Sequence, residues 1–540
     1  MHIGCRPGSQ NGNPGSLRVF SEMKRYEVAL FILSLILFSS AIRWGLPDTV
    51  PRTLPFTWAP DELASSGLLQ EIMNSLVSRS GTYNPQYPLF GYLLAGIPAV
   101  PYYLMVDGLR STRLRDLPVA RVICYLARAT TILMAAGTVV VACRTAVVLW
   151  GASGAWIVGL LTMLYPPMFY YGRTCNVDVP ALFWTALGLW QFAIALREGL
   201  NNRIVWILGI TAALAIATKD ASYGALLPVG VVIVWREWAR HRRLVLKGSV
   251  IFLIVYALAS GALINVDRYR QHLRFIRYGS TRHFGFHYGS TTPYMQVMVL
   301  AARTIRENLG WAVLIFALIG LAVCARTHRK LLLWALPAAG VVIFTVLPVR
   351  FVLYRFTIIT GYCLIGFAAL ALWRIMKWKP TAGLVALVAV SGWTLLVDAD
   401  FTWQMWNDSR YEAGRWFSRN AHPGDRIGYY GVDYEKFPFT DPRIGLERGP
   451  SSVPATNGPE FLIVFPYQNY ESVHEHNLPQ ETYDALRRGD SGYRQLLGIQ
   501  TRALFPAAPG RFVNPPLKIF VREDRLATLV DRTPRIDLPE

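Results

Sequence analysis

A chain of 540 residues that is 53% hydrophobic and only 16% charged is too apolar for an ordinary soluble multidomain protein. Its formal net charge of +20 invites a nucleic-acid reading, but many Lys and Arg lie in short loops between apolar blocks rather than on one soluble face, so no nucleic-acid partner is expected. The six cysteines (Cys5, Cys124, Cys143, Cys175, Cys324 and Cys363) are scattered, without a CxxC pair or metal-ligand spacing, and imply neither a disulfide framework nor a zinc site.

Residues 1–22, rich in Gly, Ser, Asn and Pro, read as a disordered cytoplasmic tail. The block from Tyr26 to Gly45 follows Lys24 and Arg25 and has no small-residue cleavage site close behind it, so it reads as an uncleaved first helix. From there to Val397, apolar stretches of about 17 to 25 residues recur, the length that crosses roughly 30 Å of hydrocarbon. Candidate spans are 26–45, 125–149, 154–172, 179–196, 204–218, 222–236, 248–266, 309–325, 331–348, 355–373 and 380–397. Residues 87–106 are apolar enough to cross, but Pro88, Pro98 and Pro101 argue against one regular spanning helix.

Short, strongly basic loops at 236–247, 326–330 and 374–379 belong on the cytoplasmic side, together with the tail. Six crossings before the 236–247 loop satisfy both conditions and a seventh does not, which places 87–106 in the outer interface. The expected architecture is an all-α polytopic membrane domain over 23–397, with outer loops at 46–120 and 267–308, followed by a small α/β domain over 398–540 on the outer (periplasmic or extracellular) face of the plasma membrane. This topology leaves Arg110, Arg113, Arg115 and Arg121, and Arg268, Arg270, Arg274, Arg277 and Arg282, outside against the rule. Lipid headgroups and an anionic lipid substrate are both open as their partners.

The first outer loop carries Trp58-Ala59-Pro60-Asp61-Glu62 ahead of an amphipathic stretch with Leu63, Leu68, Leu69, Ile72, Met73, Leu76 and Val77 at helical spacing. Pro60 and the two acids could simply start that helix. Alternatively a carboxylate held just above lipid is a good general base. Asp178, after Gly172-Arg173, falls at the same outer side, as do Lys219-Asp220 and the Arg350 and Arg355 pair. Each alone reads as a cap or an interfacial anchor. Together, two carboxylates and several cations suit a departing phosphate.

These motifs, with Tyr87-Pro88-Leu89, Thr218-Lys219, Tyr354-Arg355-Phe356 and Asp408-Ser409-Arg410 leading to Gly414-Arg415-Trp416, resemble in order the GT-C superfamily of membrane glycosyltransferases. The similarity is greatest to the bacterial branch of the protein O-mannosyltransferase and lipid A aminoarabinose transferase family. The resemblance implies transfer of a sugar from a polyprenyl-phosphate donor to an acceptor hydroxyl on a lipid, glycan or protein, with inversion. It gives Asp61 the catalytic base position, Glu62 a supporting role, and Asp178 the orientation of the acceptor or a share in the base's task. Lys219 and Arg355, with Arg173 and Arg350, would hold the donor phosphate. No cofactor or metal is required by that scheme. Where relatives often carry His-Pro-Pro-Leu, this chain has Gln86-Tyr87-Pro88-Leu89, so acceptor identity does not carry over. A transporter or flippase of lipid-linked sugars is the alternative, for which internal repeats and midplane polar residues are expected and not found.

In the last domain, helices are expected over Asp408 to Asn420 and Gln480 to Arg488, and strands over Arg426 to Tyr430, Glu460 to Phe465 and Leu517 to Val521.

Overall fold

The computed structural model describes residues 24–46, 57–59, 62–63, 66–78, 84, 86–108, 110, 112–113, 116–279, 293–430, 444–449, 458–465, 478, 480–505, 513–530 and 535–537. The expected 1–22 tail, Pro60, Asp61, Arg115 and Arg282 lie outside the described residues.

Within them the chain is helical up to residue 420. The first segments are α1 (Arg25–Ser39), α2 (Ser66–Met73), α3 (Leu89–Gly96), α4 (Val100–Asp107), α5 (Leu117–Trp150), α6 (Ala155–Met163) and α7 (Pro166–Tyr171). They are followed by α8 (Asp178–Glu198), α9 (Asn202–Thr218), α10 (Tyr223–Ala259), α11 (Val266–Arg274) and α12 (Tyr294–Thr327). A mixed helical run α13 (Arg329–Val349), then α14 (Ile358–Trp378) and α15 (Pro380–Trp406), complete the bundle. Seven helices among the described residues are long and apolar enough to cross a membrane by length and composition. This is a multi-pass membrane protein.

Every expected span falls on helix, with two corrections to the boundaries. The basic 236–247 stretch is not a loop: α10 runs through it, broken only at His241, where φ is −132° and ψ is 34°. The first half of α10 packs on α13, Gly224 facing Val341 and Thr345, while the second half packs on α9, with Gly248 and Ile251 against Gly209. Residues 87–106 are also more regular than their prolines suggest. Pro98 and Pro101 occupy first-turn positions, where a missing N–H costs nothing, so α3 and α4 join through a single 3₁₀ turn. The run Leu89–Asp107 is itself long and apolar enough to cross.

The C-terminal domain holds α16 (Ser409–Asn420), α17 (Gln480–Arg488) and strands β1 (Arg426–Tyr430), β2 (Gly445–Arg448), β3 (Phe461–Val464), β4 (Tyr493–Ile499), β5 (Leu517–Arg522) and β6 (Arg535–Asp537). They form one mixed sheet in the order β2-β1-β3-β5-β4-β6. Alternation explains why β3 is apolar throughout. Phe461 and Ile463 point to the core that contains Trp416 and Phe417 of α16, and Leu462 and Val464 point to the core that contains Leu486 of α17. The helices and three of the strands match the expectation; β2, β4 and β6 were not expected.

Helices α12 and α14 cross with their backbones in close contact. A Cβ placed on Gly320 would lie 1.9 Å from the Phe367 carbonyl oxygen, a backbone atom that cannot swing aside. Gly320→Ala is therefore expected to lower the thermal unfolding midpoint in detergent by several degrees, an overpacking cost on the order of 1–3 kcal/mol. An unchanged midpoint would show that the two helices can separate freely.

Candidate active site

Short connections bring distant charges to one end of the bundle. Helices α8 and α9 form an antiparallel pair joined by Gly199, Leu200 and Asn201, whose side chain caps α9 by accepting from the Ile204 N–H at 3.0 Å. The start of α8 therefore lies beside the end of α9. Asp178 occupies the first turn of α8, where its charge complements the helix dipole, and Lys219 leaves α9 in an extended conformation. The Lys219 ammonium pairs with Asp178 Oδ1. The other carboxylate oxygen, Oδ2, is buried and has no hydrogen-bond partner among the described residues.

On its other side Lys219 faces an aromatic ring. Its Nζ lies 5.6 Å from the Phe356 centroid, and the Arg355 guanidinium lies 6.0 Å from the same centroid. The turn Tyr354–Thr357 that presents Arg355 is held by Asn308, which donates to the Tyr354 carbonyl at 3.0 Å and the Thr357 hydroxyl at 2.7 Å. Lys219, paired with Asp178, and Arg355 thus share the Phe356 ring. Arg350 precedes this turn in the chain and engages Tyr294 instead. Its φ of 53° puts it in the left-handed region, and its guanidinium stacks 4.4 Å over Tyr294.

Glu62 approaches from the first loop and is fully engaged. Its carboxylate accepts from Arg128 Nε at 2.7 Å, Arg128 Nη2 at 2.8 Å and the Cys175 N–H at 2.7 Å. Both side chains of the ion pair are completely buried. Arg128 uses its remaining terminal nitrogen on the carbonyls of Ile42 and Trp44, at 2.6 and 2.7 Å. The Leu63 N–H also donates to the Cys175 carbonyl at 2.8 Å. Asp178 follows Cys175 by three residues, at most about 11 Å of extended chain. Glu62 is therefore a clamp that holds the first loop against the turn preceding Asp178. Asp61 itself lies outside the described residues.

The structure does not bring Arg173 to the Lys219 group. Its buried guanidinium donates to Asp398 Oδ2 at 3.0 Å, the Thr402 hydroxyl at 2.8 Å and the Leu37 carbonyl at 3.1 Å, tying the end of α7 to α15 and α1. Arg268, one of the cations expected on the outer side, is likewise a structural partner: its Nε donates to Glu71 at 2.8 Å and its Nη2 to the Tyr87 carbonyl at 3.1 Å. Sequence reasoning missed one contact of the site. His272 of α11 is buried and its Nε2 lies 3.2 Å from Asp220 Oδ1, beside Lys219. Among the described residues no group of three or more His, Cys, Asp and Glu side chains is arranged to hold a metal ion.

Removing one member of the buried Glu62–Arg128 pair strands the other, a loss on the order of 3–5 kcal/mol. Glu62→Ala and Arg128→Met are each expected to lower the unfolding midpoint, and the double variant to lose less than their sum by about 1 kcal/mol or more. Additive losses would mean that the two side chains do not act as a unit.

Residues 119–276, which contain Arg128, Asp178 and Lys219, match the family described as Dolichyl-phosphate-mannose-protein mannosyltransferase (PMT). Among solved structures, ArnT from Cupriavidus metallidurans bound to undecaprenyl phosphate is similar at 14% identity, with 95% of this chain and 99% of that chain covered and a TM-score of 0.50. The Archaeoglobus fulgidus oligosaccharyltransferase in complex with Zn and sulfate shares 14% identity over 68% of this chain and 52% of that one, with a TM-score of 0.42. The arabinofuranosyltransferase AftD from Mycobacteria shares 12% identity over 96% of this chain and 40% of that one, with a TM-score of 0.45. The chain thus spans about half of the archaeal enzyme's length but nearly all of ArnT's. Curated protein sequences show no significant match. With residues 119–276 matched by the PMT family model and the course of ArnT followed almost from end to end, the chain is a multi-pass membrane protein of the GT-C glycosyltransferase fold.

Proposed function

We propose that this protein transfers a sugar from a polyprenyl-phosphate donor to an acceptor hydroxyl at the outer face of the membrane, with inversion at the anomeric carbon. The observation that carries the reading is the Asp178–Lys219 pair, which leaves one buried carboxylate oxygen unsatisfied, while Lys219 shares the Phe356 ring with a second cation, Arg355. A buried acceptor without a donor is costly unless a ligand supplies one. An acceptor hydroxyl can do so, and a lipid phosphate suits the two cations. The fold relative ArnT is described bound to undecaprenyl phosphate, which accords with a lipid phosphate as the donor's carrier.

In this scheme the acceptor oxygen attacks the anomeric carbon as the bond from that carbon to the phosphate oxygen breaks. The acceptor proton passes to Asp61, which is joined directly to the Glu62 clamp. The electron pair of the breaking bond leaves on the polyprenyl phosphate, and Lys219 and Arg355 stabilise that growing charge. A phosphate leaving group needs no protein acid. The transition state has oxocarbenium character, as in other glycosyl transfers. Asp178 orients the acceptor through its open oxygen. Glu62 acts through Arg128 as a positioning residue, Arg350 guards the rim of the phosphate site, and Arg173 is assigned to the framework rather than to the phosphate.

The test is release of polyprenyl phosphate from a panel of polyprenyl-phosphate sugars by purified protein, with membrane extract as acceptor source. Asp61→Asn is expected to reduce turnover by roughly 100-fold or more, the scale of a general base. Lys219→Met is expected to reduce kcat/KM for the donor. Full activity in Asp61→Asn would remove that residue from the base position and shift the role to Asp178.

A further inference from the structure

We propose that the C-terminal domain is a positioning device for the acidic loop: Asp408, Arg410 and Trp58 fix the start of the Trp58-Ala59-Pro60-Asp61-Glu62 segment, as Arg128 fixes its end. The inference rests on the glycosyltransferase reading, which gives Asp61 its task.

Asp408 is fully buried and accepts five hydrogen bonds. Oδ1 receives the Arg410 N–H at 3.1 Å and Arg410 Nε at 2.8 Å; Oδ2 receives Arg410 Nη2 at 2.8 Å, Trp44 Nε1 at 3.0 Å and the Asn514 N–H at 2.7 Å. One carboxylate therefore joins the sheet domain, through Asn514, to the end of the first membrane segment, through Trp44. Asn514 is itself fixed within the domain, since its Oδ1 accepts from the Ser409 and Thr501 N–H groups at 3.2 and 3.0 Å.

The same carboxylate orients Arg410, whose buried guanidinium lies 4.1 Å over the Trp58 ring. Tyr411 packs on that ring from the next position, at 4.7 Å between centroids, and its hydroxyl accepts from the Gly45 N–H at 3.2 Å. Trp58 is in turn pressed on Gly45: its N–H donates to the Gly45 carbonyl at 2.9 Å, and a Cβ on Gly45 would lie 2.5 Å from the Trp58 Cβ. Gly45 has a φ of +59°, so a side chain there is excluded by backbone and space together.

Trp44 closes the circuit, because its carbonyl accepts from the Arg128 guanidinium that grips Glu62. The acidic segment is thus held at Trp58 by the C-terminal domain and at Glu62 by α5. A domain needed only as an acceptor platform would not require a guanidinium, fixed by its own buried carboxylate, on a tryptophan of the proposed base's loop. Loosening that contact leaves Lys219 and Arg355 untouched and moves only the base side, so the effect belongs in kcat rather than in donor KM.

The experiment uses the full chain in detergent. Trp58→Leu removes the ring but leaves an apolar side chain, Trp58→Phe keeps a ring, and Arg410→Lys keeps the charge without the planar fork. Trp58→Leu and Arg410→Lys are expected to lose about tenfold or more in kcat with donor KM within about twofold, and Trp58→Phe to retain most of the turnover. Exchange of the hydrogen-bonded Trp58, Glu62 and Leu63 amides is expected to rise about tenfold or more in the two weakened variants, while the Ala181 amide of α8 keeps its protection. Unchanged kcat with unchanged exchange overturns the proposal, as does a raised donor KM at constant kcat, which would make the domain a binding element. If Arg410→Lys fails to fold, the two Trp58 variants decide. If wild type releases no polyprenyl phosphate from any donor, the glycosyltransferase reading is what fails, and the exchange measurement still decides whether the domain holds the loop.

Discussion

A charge pair with no exposure to water, Glu62 with Arg128, is the constraint around which the end of the bundle that carries Asp178 is organised. Taking both ions out of water costs several kcal/mol each, and their attraction repays this only when the remaining donors and acceptors are satisfied. Here the Cys175 N–H and the carbonyls of Ile42 and Trp44 do so. The pair therefore forces four stretches of chain to meet: the end of the first membrane segment, the first loop, α5 and the turn before α8. Once that turn is set, the start of α8 is set, and so is Asp178.

A difference in satisfaction separates the charges that build the protein from those suited to act. Asp408 and Glu62 have both oxygens occupied by fixed donors. Their pairs are closed and rigid. Asp178 shares one oxygen with Lys219 and leaves the other open, and Lys219 reaches beyond its partner to the Phe356 ring. A closed pair resists any ligand, because the ligand must first break what repays desolvation. An open pair loses little when a hydroxyl or a phosphate arrives. Arg173 is placed among the framework residues by the identity of its partners rather than by this distinction: Asp398, Thr402 and Leu37 take its terminal nitrogens, while its Nε is buried without a partner among the described residues.

How much of this could be read from the sequence depends on the range of each interaction. Apolar run length is local, and it located helix for every expected span. The stretch 236–247 misled because Arg and His are as good in an exposed helix as in a basic loop, and nothing local marks the single break at His241. In the sheet, β3 announces itself as a continuous apolar run, whereas β2 is Gly445-Leu446-Glu447-Arg448, and its strand identity comes from the parallel neighbour β1. Asp178 and Lys219 could be placed on one side because a short hairpin makes parity reliable. By contrast the partners of Arg173 and Arg268 lie 225 and 197 residues away in sequence. An arginine at the outer mouth of a span looks the same whether it awaits a phosphate or already holds a distant carboxylate.

The two sides of the candidate site are built from different materials, and the difference suits the work proposed for them. The side of the acidic loop is held by buried ion pairs and a stacked tryptophan, interactions that fail sharply when displaced. The side of the cations is carried on short turns. Residues 220–222 and 354–357 flank the π-helical turn Val341–Val346, where Thr345 donates to the Ala221 carbonyl at 3.3 Å and the Tyr223 hydroxyl bonds to the Phe344 carbonyl. A π-turn is a strained insertion in a helix, often found where function needs local give. Base catalysis demands a carboxylate fixed to fractions of an ångström, while a long lipid phosphate has to enter and leave at every turnover. Rigidity on one side and a softer support on the other meet both demands in one bundle, with the C-terminal domain contributing to the rigid side.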